Sequence, residues 1–377
     1  MTYQQLMKSE EFMGYYYNVF DDIKQYPDAW CIVAVGGRNT GKTYGFLKGA
    51  YENNEKFVFT KRTNRDIDLL CSGSGQIGTK KNQFGMDVSP FRSINRDLGT
   101  NIKPFKLFEG FGGFWECTKN EKQEEVPAES PVGYLIALGA VSKFAGFDMS
   151  DAEYLCIDEF IPRAWEKVAR LEGEQMMELY KTVSRDRIHR GRRPLKLILL
   201  ANPVNVACPI TNTLEITDTI AEMDVHDIEY TYLEDRGILI HKLHNNTEFD
   251  EVEHKDPVYQ AMKNTAWGQM AFENKFAFND FSSIGKGQMK SFKPVCSFTY
   301  KFKDYYIYQR DGQYIMCFSK FNANKPHYNL KRETEQKKFY FDYALDFRNE
   351  SIEGNMIFET YTMYDLITNY HKIFTLR

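Results

Sequence analysis

At 377 residues, 42% hydrophobic and 27% charged, the chain has an ordinary globular composition and is long enough for two or three structural units. A net charge of −4 excludes a molecule that binds polyanions over its whole surface, so any nucleic-acid contact has to be local. No apolar run reaches the roughly 18 residues of a membrane span, no signal peptide opens the sequence, and the cysteines are scattered without a C-x-x-C pair; a soluble, unsecreted protein without zinc or disulfide staples is expected.

Residues 1–28 read as an amphipathic helical lead-in closed by Pro27-Asp28. Residues 30–35 form a short apolar run bounded by Gly36, the pattern of a buried parallel strand, and 43–51 read as the helix after a glycine loop. A second strand is predicted at 56–61, and Thr63-Asn64-Arg65-Asp66 opens a helix. Residues 72–113 read as a long insertion with short strands, and 116–129 as a surface loop or hairpin tip. Within the insertion, Gly73 to Gly78 match G-x-G-x-x-G, but no strand precedes them and the stretch is read as a loop. An apolar run follows at 133–140. Buried strands are predicted at 153–157 and 195–201, with a helix at 164–183 between them. Strands alternating with helices predict an α/β fold with a central parallel sheet. The pattern fades near residue 230. Beyond it, 237–244 is strand-like, 256–270 helical and 285–290 a linker. Residues 295–303 and 305–319 read as a β-meander turned at Asp311-Gly312, and 363–373 as a closing helix. His241, His244 and His254 do not read as a metal site, because His241 and His244 point to opposite faces of a strand.

The chemistry concentrates in Gly36-Gly37-Arg38-Asn39-Thr40-Gly41-Lys42-Thr43, a G-x-x-x-x-G-K-[ST] loop between a predicted strand and a predicted helix. Glycines let backbone N–H groups wrap a phosphate at a helix N-terminus, Lys42 reaches the outer phosphates, and Thr43 offers a hydroxyl to Mg²⁺. Asp158 and Glu159 end an apolar strand, where the first can hold the metal's water shell and the second can orient and deprotonate the attacking water. Arg38, inside the loop, either senses the γ-phosphate in cis or points to solvent. Asn202, ending the next strand, either bonds the γ-phosphate or lytic water or is a plain turn residue. Five arginines at 185, 187, 190, 192 and 193 fall where ring ATPases present an arginine to a neighbour's nucleotide. No guanine-recognition motif accompanies the loop, so ATP is the expected nucleotide.

The loop GGRNTGKT, the segment FVFTKR at 57–62, CIDEF ending at Phe160, TVSRDR at 182–187 and LLAN ending at Asn202 resemble viral DNA-packaging motor ATPases. The likeness is greatest to the compact encapsidation ATPases of small tailed phages with protein-primed linear genomes, relatives of the large terminases. WGQMAFENK at 267–275 and FSSI at 281–284 are similar too. The resemblance implies a P-loop ATPase of the additional-strand (ASCE) type over 1–235, a linker or lid over 236–290, and an α+β C-terminal domain over 291–377 resembling a vestigial RNase H-like nuclease. It implies phosphate and Mg²⁺ binding by Lys42 and Thr43, a Walker B pair in Asp158 and Glu159, and a finger acting across subunits in Arg185, with Arg187 or Arg190 as substitutes. It further implies a five-membered ring of copies at the portal of a procapsid in the host cytoplasm, acting on double-stranded DNA, often with a structural packaging RNA and with no membrane.

The leading expectation is therefore an ATP-driven translocase of double-stranded DNA. Another ring ATPase, helicase-like or for virion assembly, and a slow nucleotide switch are the alternatives; Glu159 and the arginine segment argue against the switch. Lys80, Lys81, Arg92 and Arg96 are the candidate DNA contacts. No nuclease activity is expected, because the strand at 295–303 carries no acid, and Asp304, Asp311, Asp342, Asp346, Glu353 and Glu359 make no evident metal cage. Lys286, Lys290, Lys293, Lys301 and Lys303 offer the C-terminal domain a basic docking surface.

Overall fold

The computed structural model describes residues 16–72, 88–121, 125–144, 146–163, 165–244, 254–287 and 290–374. They form two compact units, one of residues 1–205 with 226–278 and the other of 206–225 with 279–377.

The first unit is built on a sheet to which the described residues contribute ten strands: β1 Cys31–Val35, β2 Phe57–Lys61, β3 Ile102–Phe108, β4 Phe111–Lys119, β5 Glu125–Pro127, β6 Gly133–Ala137, β7 Tyr154–Asp158, β8 Lys196–Ala201, β9 Tyr230–Leu233 and β10 Ile238–Lys242. Their order is β3-β4-β6-β2-β7-β8-β1-β10-β9, with β5 paired on β4. The six strands from β6 to β10 in this order run parallel; β3, β4, β5 and β9 are antiparallel additions. Every residue of β1 and β7 is buried, as expected for strands covered on both faces. One face is packed by aromatic rings: Phe46 lies 5.6 Å from Phe57, and Phe91 lies 5.0 Å from Phe114. The register aligns Val35 with Ala201 and Lys242, and Asp158 with Leu200. The carboxyl ends of the parallel strands therefore share one edge, where ligands bind in open α/β sheets.

Helices connect the strands: α1 Val19–Gln25, α2 Lys42–Glu52, α3 Asn64–Cys71, α4 Phe91–Leu98 and α5 Glu172–Ser184. The start of α3 follows from Thr63 and Asp66, which close a capping box. Several expectations are corrected. The insertion at 72–113 holds helix α4 and the long strands β3 and β4 instead of short strands only. The helix expected at 164–183 begins at Glu172, because Glu166 and Glu172 are both drawn onto the Arg62 guanidinium before regular helix starts. The helix expected at 256–270 is two, Pro257–Met262 and Ala266–Phe272, broken where Thr265 accepts a bond from the Gly268 N–H. The boundary expected at 235 cuts the sheet, since β10 pairs along its whole length with β1. The glycine-rich decoy at 73–78 lies outside the described residues.

The second unit has a five-stranded sheet in the order β14-β11-β12-β13-β15, with β11 Lys293–Tyr300, β12 Lys303–Arg310, β13 Gln313–Cys317, β14 His327–Asn329 and β15 Met356–Phe358. The β11–β13 meander is antiparallel, and β14 and β15 add in parallel at its two edges. Helices including Glu333–Phe339, Leu345–Ile352 and Tyr361–Thr368 cover one face, where Phe298, Phe339, Phe347 and Phe358 make the core. The closing helix predicted at 363–373 is two, Tyr361–Thr368 and Tyr370–Ile373. All seven cysteines are free and buried. No helix among the described residues is long and apolar enough to cross a membrane.

Candidate active site

The loop between β1 and α2 folds around a hollow because its backbone twice turns left-handed, at Asn39 (φ 64°) and Gly41 (φ 81°). Glycine takes that conformation at no steric cost, and asparagine tolerates it better than most residues. The N-terminal segment braces the loop from outside: the Tyr17 N–H donates to the Thr40 carbonyl at 2.9 Å. Gly45 lies inside α2, where glycine costs helix stability, because a Cβ there would collide with the Tyr17 carbonyl oxygen. From the other side, the Arg38 N–H donates to the Ala271 carbonyl at 3.1 Å, and the Gly37 N–H to the buried Asn274 side chain.

Lys42 opens α2 and curls back into the hollow. Its Nζ donates to the carbonyls of Gly36 (2.7 Å) and Gly37 (2.6 Å), to Thr40 Oγ1 (2.9 Å) and to Asn202 Oδ1 (3.3 Å). Burial pulls its pKa down to about 7, against the opposing pull of Asp158 and Glu159. A lysine so placed is short of negative charge, which a phosphate chain would supply.

Asp158 ends β7 and is nearly buried. It accepts from the Thr43 hydroxyl at 2.8 Å and from Lys61 Nζ at 2.6 Å. Lys61 ends the adjacent strand β2, and its ammonium also lies 3.9 Å from Glu159. Burial alone would lower the Lys61 pKa, but the two carboxylates outweigh it and hold it above the ordinary value. Glu159 has a left-handed backbone (φ 56°), rare for a residue with a side chain and a mark of functional sites. Arg62 holds that turn. Its Nη2 donates to the carbonyls of Glu159 and Phe160, both at 3.1 Å, while Nε and Nη1 bond Glu172 (2.6 Å) and Glu166 (2.7 Å). The Glu159 carboxylate, 43% exposed, accepts from Arg163 at 3.1 Å. A cavity of about 280 Å³ joins these groups, lined by residues 37–44, Asp158, Glu159, Ala201 and Asn202.

The site residues read from the sequence at 36–43, 158, 159 and 202 thus meet in one place, with Arg38 exposed at its rim. The arginine segment divides. Arg187 is buried, bonded to Glu153, the Ser150 and Ala152 carbonyls and the Arg193 carbonyl, so it is a structural residue with no freedom to serve a neighbour. Arg192 and Arg193 also bond Glu153. Arg190 pairs with Asp186 on the surface, and Arg185 (φ 40°, ψ −124°) donates to the Phe147 carbonyl. Arg185 is not among the residues that line the cavity. Arg92 and Arg96 lie one turn apart, exposed on α4, and Lys80 and Lys81 lie outside the described residues.

Lys61, Arg62, Arg163 and Asn274 were given no role by the sequence. Two basic residues ending a buried strand were a signal for the first pair; for Asn274 there was none beyond its place in WGQMAFENK. His241 is occupied structurally: its Nδ1 lies 2.8 Å from the Asp22 carboxylate, which also accepts from the Tyr17 hydroxyl at 2.7 Å. In the second unit, the acids have local partners: Asp304 accepts from Thr299, Asp342 from Tyr328 and Glu359 from the Phe318 N–H. Among the described residues, no three acids, histidines or cysteines are grouped to hold a metal.

The fold and site define an α/β protein with a parallel-rich sheet and a phosphate-type loop at its carboxyl edge. The same fold is found, over nearly the whole chain, in solved structures of phage packaging motors. The Phi-28 gp11 DNA packaging motor aligns with a TM-score of 0.62 and 18% identity, covering 96% of this chain and 98% of that one. The bacteriophage Phi-29 viral genome packaging motor assembly aligns with a TM-score of 0.62 and 15% identity, covering 96% and 99%. At such identities the likeness is one of fold. No protein-family model and no curated protein matches the chain.

Proposed function

We propose that the chain is a Mg²⁺-dependent ATPase that works in a ring, of five copies, to drive double-stranded DNA through the portal of a procapsid. One observation carries the chemical part: a phosphate loop and a strand-end acid pair, borne on β1 and β7 with β8 inserted between them, meet with Thr43 Oγ1 2.8 Å from Asp158. An inserted strand at that position is what an additional-strand ATPase requires. A hydroxyl and a carboxylate are hard oxygen donors suited to Mg²⁺, and the Lys61 ammonium already lies against that carboxylate, which marks a place built for positive charge. Thr43 would hold the metal directly and Asp158 would hold it or its water shell. When bound, the metal offsets the charge of the β- and γ-oxygens.

The remaining work falls to the chain's own side chains. Lys42 exchanges its loop carbonyls for the outer phosphate oxygens. Glu159 aligns a water and takes its proton as the water attacks the γ-phosphorus, whose bond to the β–γ bridging oxygen breaks to release ADP and phosphate. Asn202, already bonded to Lys42, contacts the γ-phosphate or that water, and Arg38 approaches from the rim. Arg185, exposed at the end of α5, is the arginine offered to a neighbouring copy.

The packaging part is supported by the fold shared end to end with two phage motors. The second unit then acts as a docking module toward the portal or a structural RNA, and not as a nuclease. ATP turnover measured alone, with double-stranded DNA, and with DNA plus purified empty procapsids tests the whole reading. Stimulation by DNA and encapsidation of nuclease-resistant DNA are expected. Turnover indifferent to both would leave an ATPase but remove the motor.

A further inference from the structure

The cavity lining is polar, charged or small with one exception among the described residues, the ring of Tyr44. A nucleotide needs two kinds of surface, oxygen-binding groups for its phosphates and a flat apolar face for its base. Asp158, Glu159 and Asn202 mark where the terminal phosphate belongs, which leaves Tyr44, one residue past Thr43, for the other end.

Tyr44 is held in place. Its hydroxyl donates to Asp97 at 2.9 Å, and its ring lies 5.8 Å from that of Tyr16, tilted by 48°. Tyr16 in turn packs directly on Gly41, where a Cβ would collide with its ring, and its neighbour Tyr17 is tied to the Thr40 carbonyl. Both rings are only half-buried. Two anchored aromatic faces thus adjoin a phosphate loop.

We propose that Tyr16 and Tyr44 form a nucleobase shelf, on which the base of a purine nucleoside triphosphate stacks; this rests on reading the loop as a triphosphate site. The rings are too close to sandwich a base, so it lies against their outer faces. Stacking recognises the π-face and not the edge pattern, so purines bind better than pyrimidines while ATP and GTP differ little.

The test compares MgATP with magnesium tripolyphosphate, which has the phosphates and no base, by calorimetry on the full chain. Wild type should bind ATP tighter by on the order of tenfold, a typical stacking contribution. Tyr16→Leu, which keeps an apolar side chain against Gly41, should erase most of that advantage and leave tripolyphosphate affinity unchanged. Tyr16→Phe should restore it. The shelf is refuted if Tyr16→Leu weakens both ligands by the same factor, which would make Tyr16 a brace for the loop, or if the ATP advantage survives. Wild type that binds no tripolyphosphate would instead sink the triphosphate-site reading beneath it.

Discussion

The two units handle carboxylates in opposite ways. In the first, Asp158 and Glu159 stand at the carboxyl edge of a parallel sheet and face the ammonium of Lys61, the guanidinium of Arg163 and the hydroxyl of Thr43. Their strands run side by side, so groups far apart in sequence arrive at one edge together. In the second, Asp304, Asp342 and Glu359 are each taken up by nearby hydroxyl or N–H donors. Acids are equally available in both. What sets the first unit apart is convergence of carboxylates on cations, not the number of carboxylates.

The largest effect should come from breaking that convergence. Glu159→Gln preserves shape and hydrogen bonding but removes the base, so ATP binding should persist while turnover falls by about 10²–10⁴-fold. Lys42→Ala should abolish binding itself. Ordinary turnover in Glu159→Gln would overturn the assignment of the base.

The arginine segment sharpens the same contrast, because one residue there is spent on structure and another is not. Arg185→Ala should slow hydrolysis by on the order of 10³-fold with folding intact, and mixing it with Glu159→Gln protein should recover activity at mixed interfaces. Arg187→Ala should instead destabilise the fold by about 1–3 kcal/mol, because the Ser150 and Ala152 carbonyls lose a buried donor. Thermal melts of both variants separate the two; equal melting temperatures would erase the distinction.

A smaller effect is expected from pH. Burial brings the Lys42 pKa down to about 7, and phosphates favour its charged form. Binding above pH 7 therefore takes up a proton, and ATP affinity should fall by about tenfold per pH unit as pH rises beyond 7. The sign for stability is opposite: the unfolded chain keeps this proton up to about 10.5, so this group makes the unliganded fold more stable as pH rises from 7 to 10.5. Affinity that stays flat from pH 6.5 to 9 would mean that the three loop oxygens and Asn202 keep Lys42 charged.

The smallest effect should be none at all. Asp304→Ala and Asp342→Ala should leave plasmid DNA as intact as the wild type does in Mn²⁺. Cleavage by the wild type that is lost in either variant would restore a nuclease to the second unit.

Much of the first site is legible in the sequence because its parts are local. The loop from Gly36 to Thr43 carries its own geometry in its glycines, and Asp158 announces itself by ending an apolar run. What the sequence hides is adjacency. Nothing in residues 57–62 says that β2 lies beside β7, so Lys61 and Arg62 look like an ordinary basic strand end. Likewise, 238–242 reads as an isolated strand, yet its pairing with β1 brings the end of the first unit back beside the loop. The five arginines look alike in sequence; only Arg187 is buried, enclosed by Glu153 and the Ala152 carbonyl. Asn274 reaches Gly37 across 237 residues of chain, a contact no local pattern encodes.

The left-handed backbone at Glu159 and Arg185 carries a cost beyond catalysis. A side chain in that conformation gives up about 1–2 kcal/mol that glycine would not. At Glu159 the two bonds from Arg62 to the Glu159 and Phe160 carbonyls hold the turn against that cost. A laboratory selection for heat resistance, blind to turnover, would favour glycine at both positions and so remove the two side chains to which the proposed mechanism gives the base and the offered arginine. Under the proposed mechanism, durability and speed make opposite demands on these two α-carbons, and a hardened version of this protein would stay fast only if both were held fixed while the rest of the chain was allowed to vary.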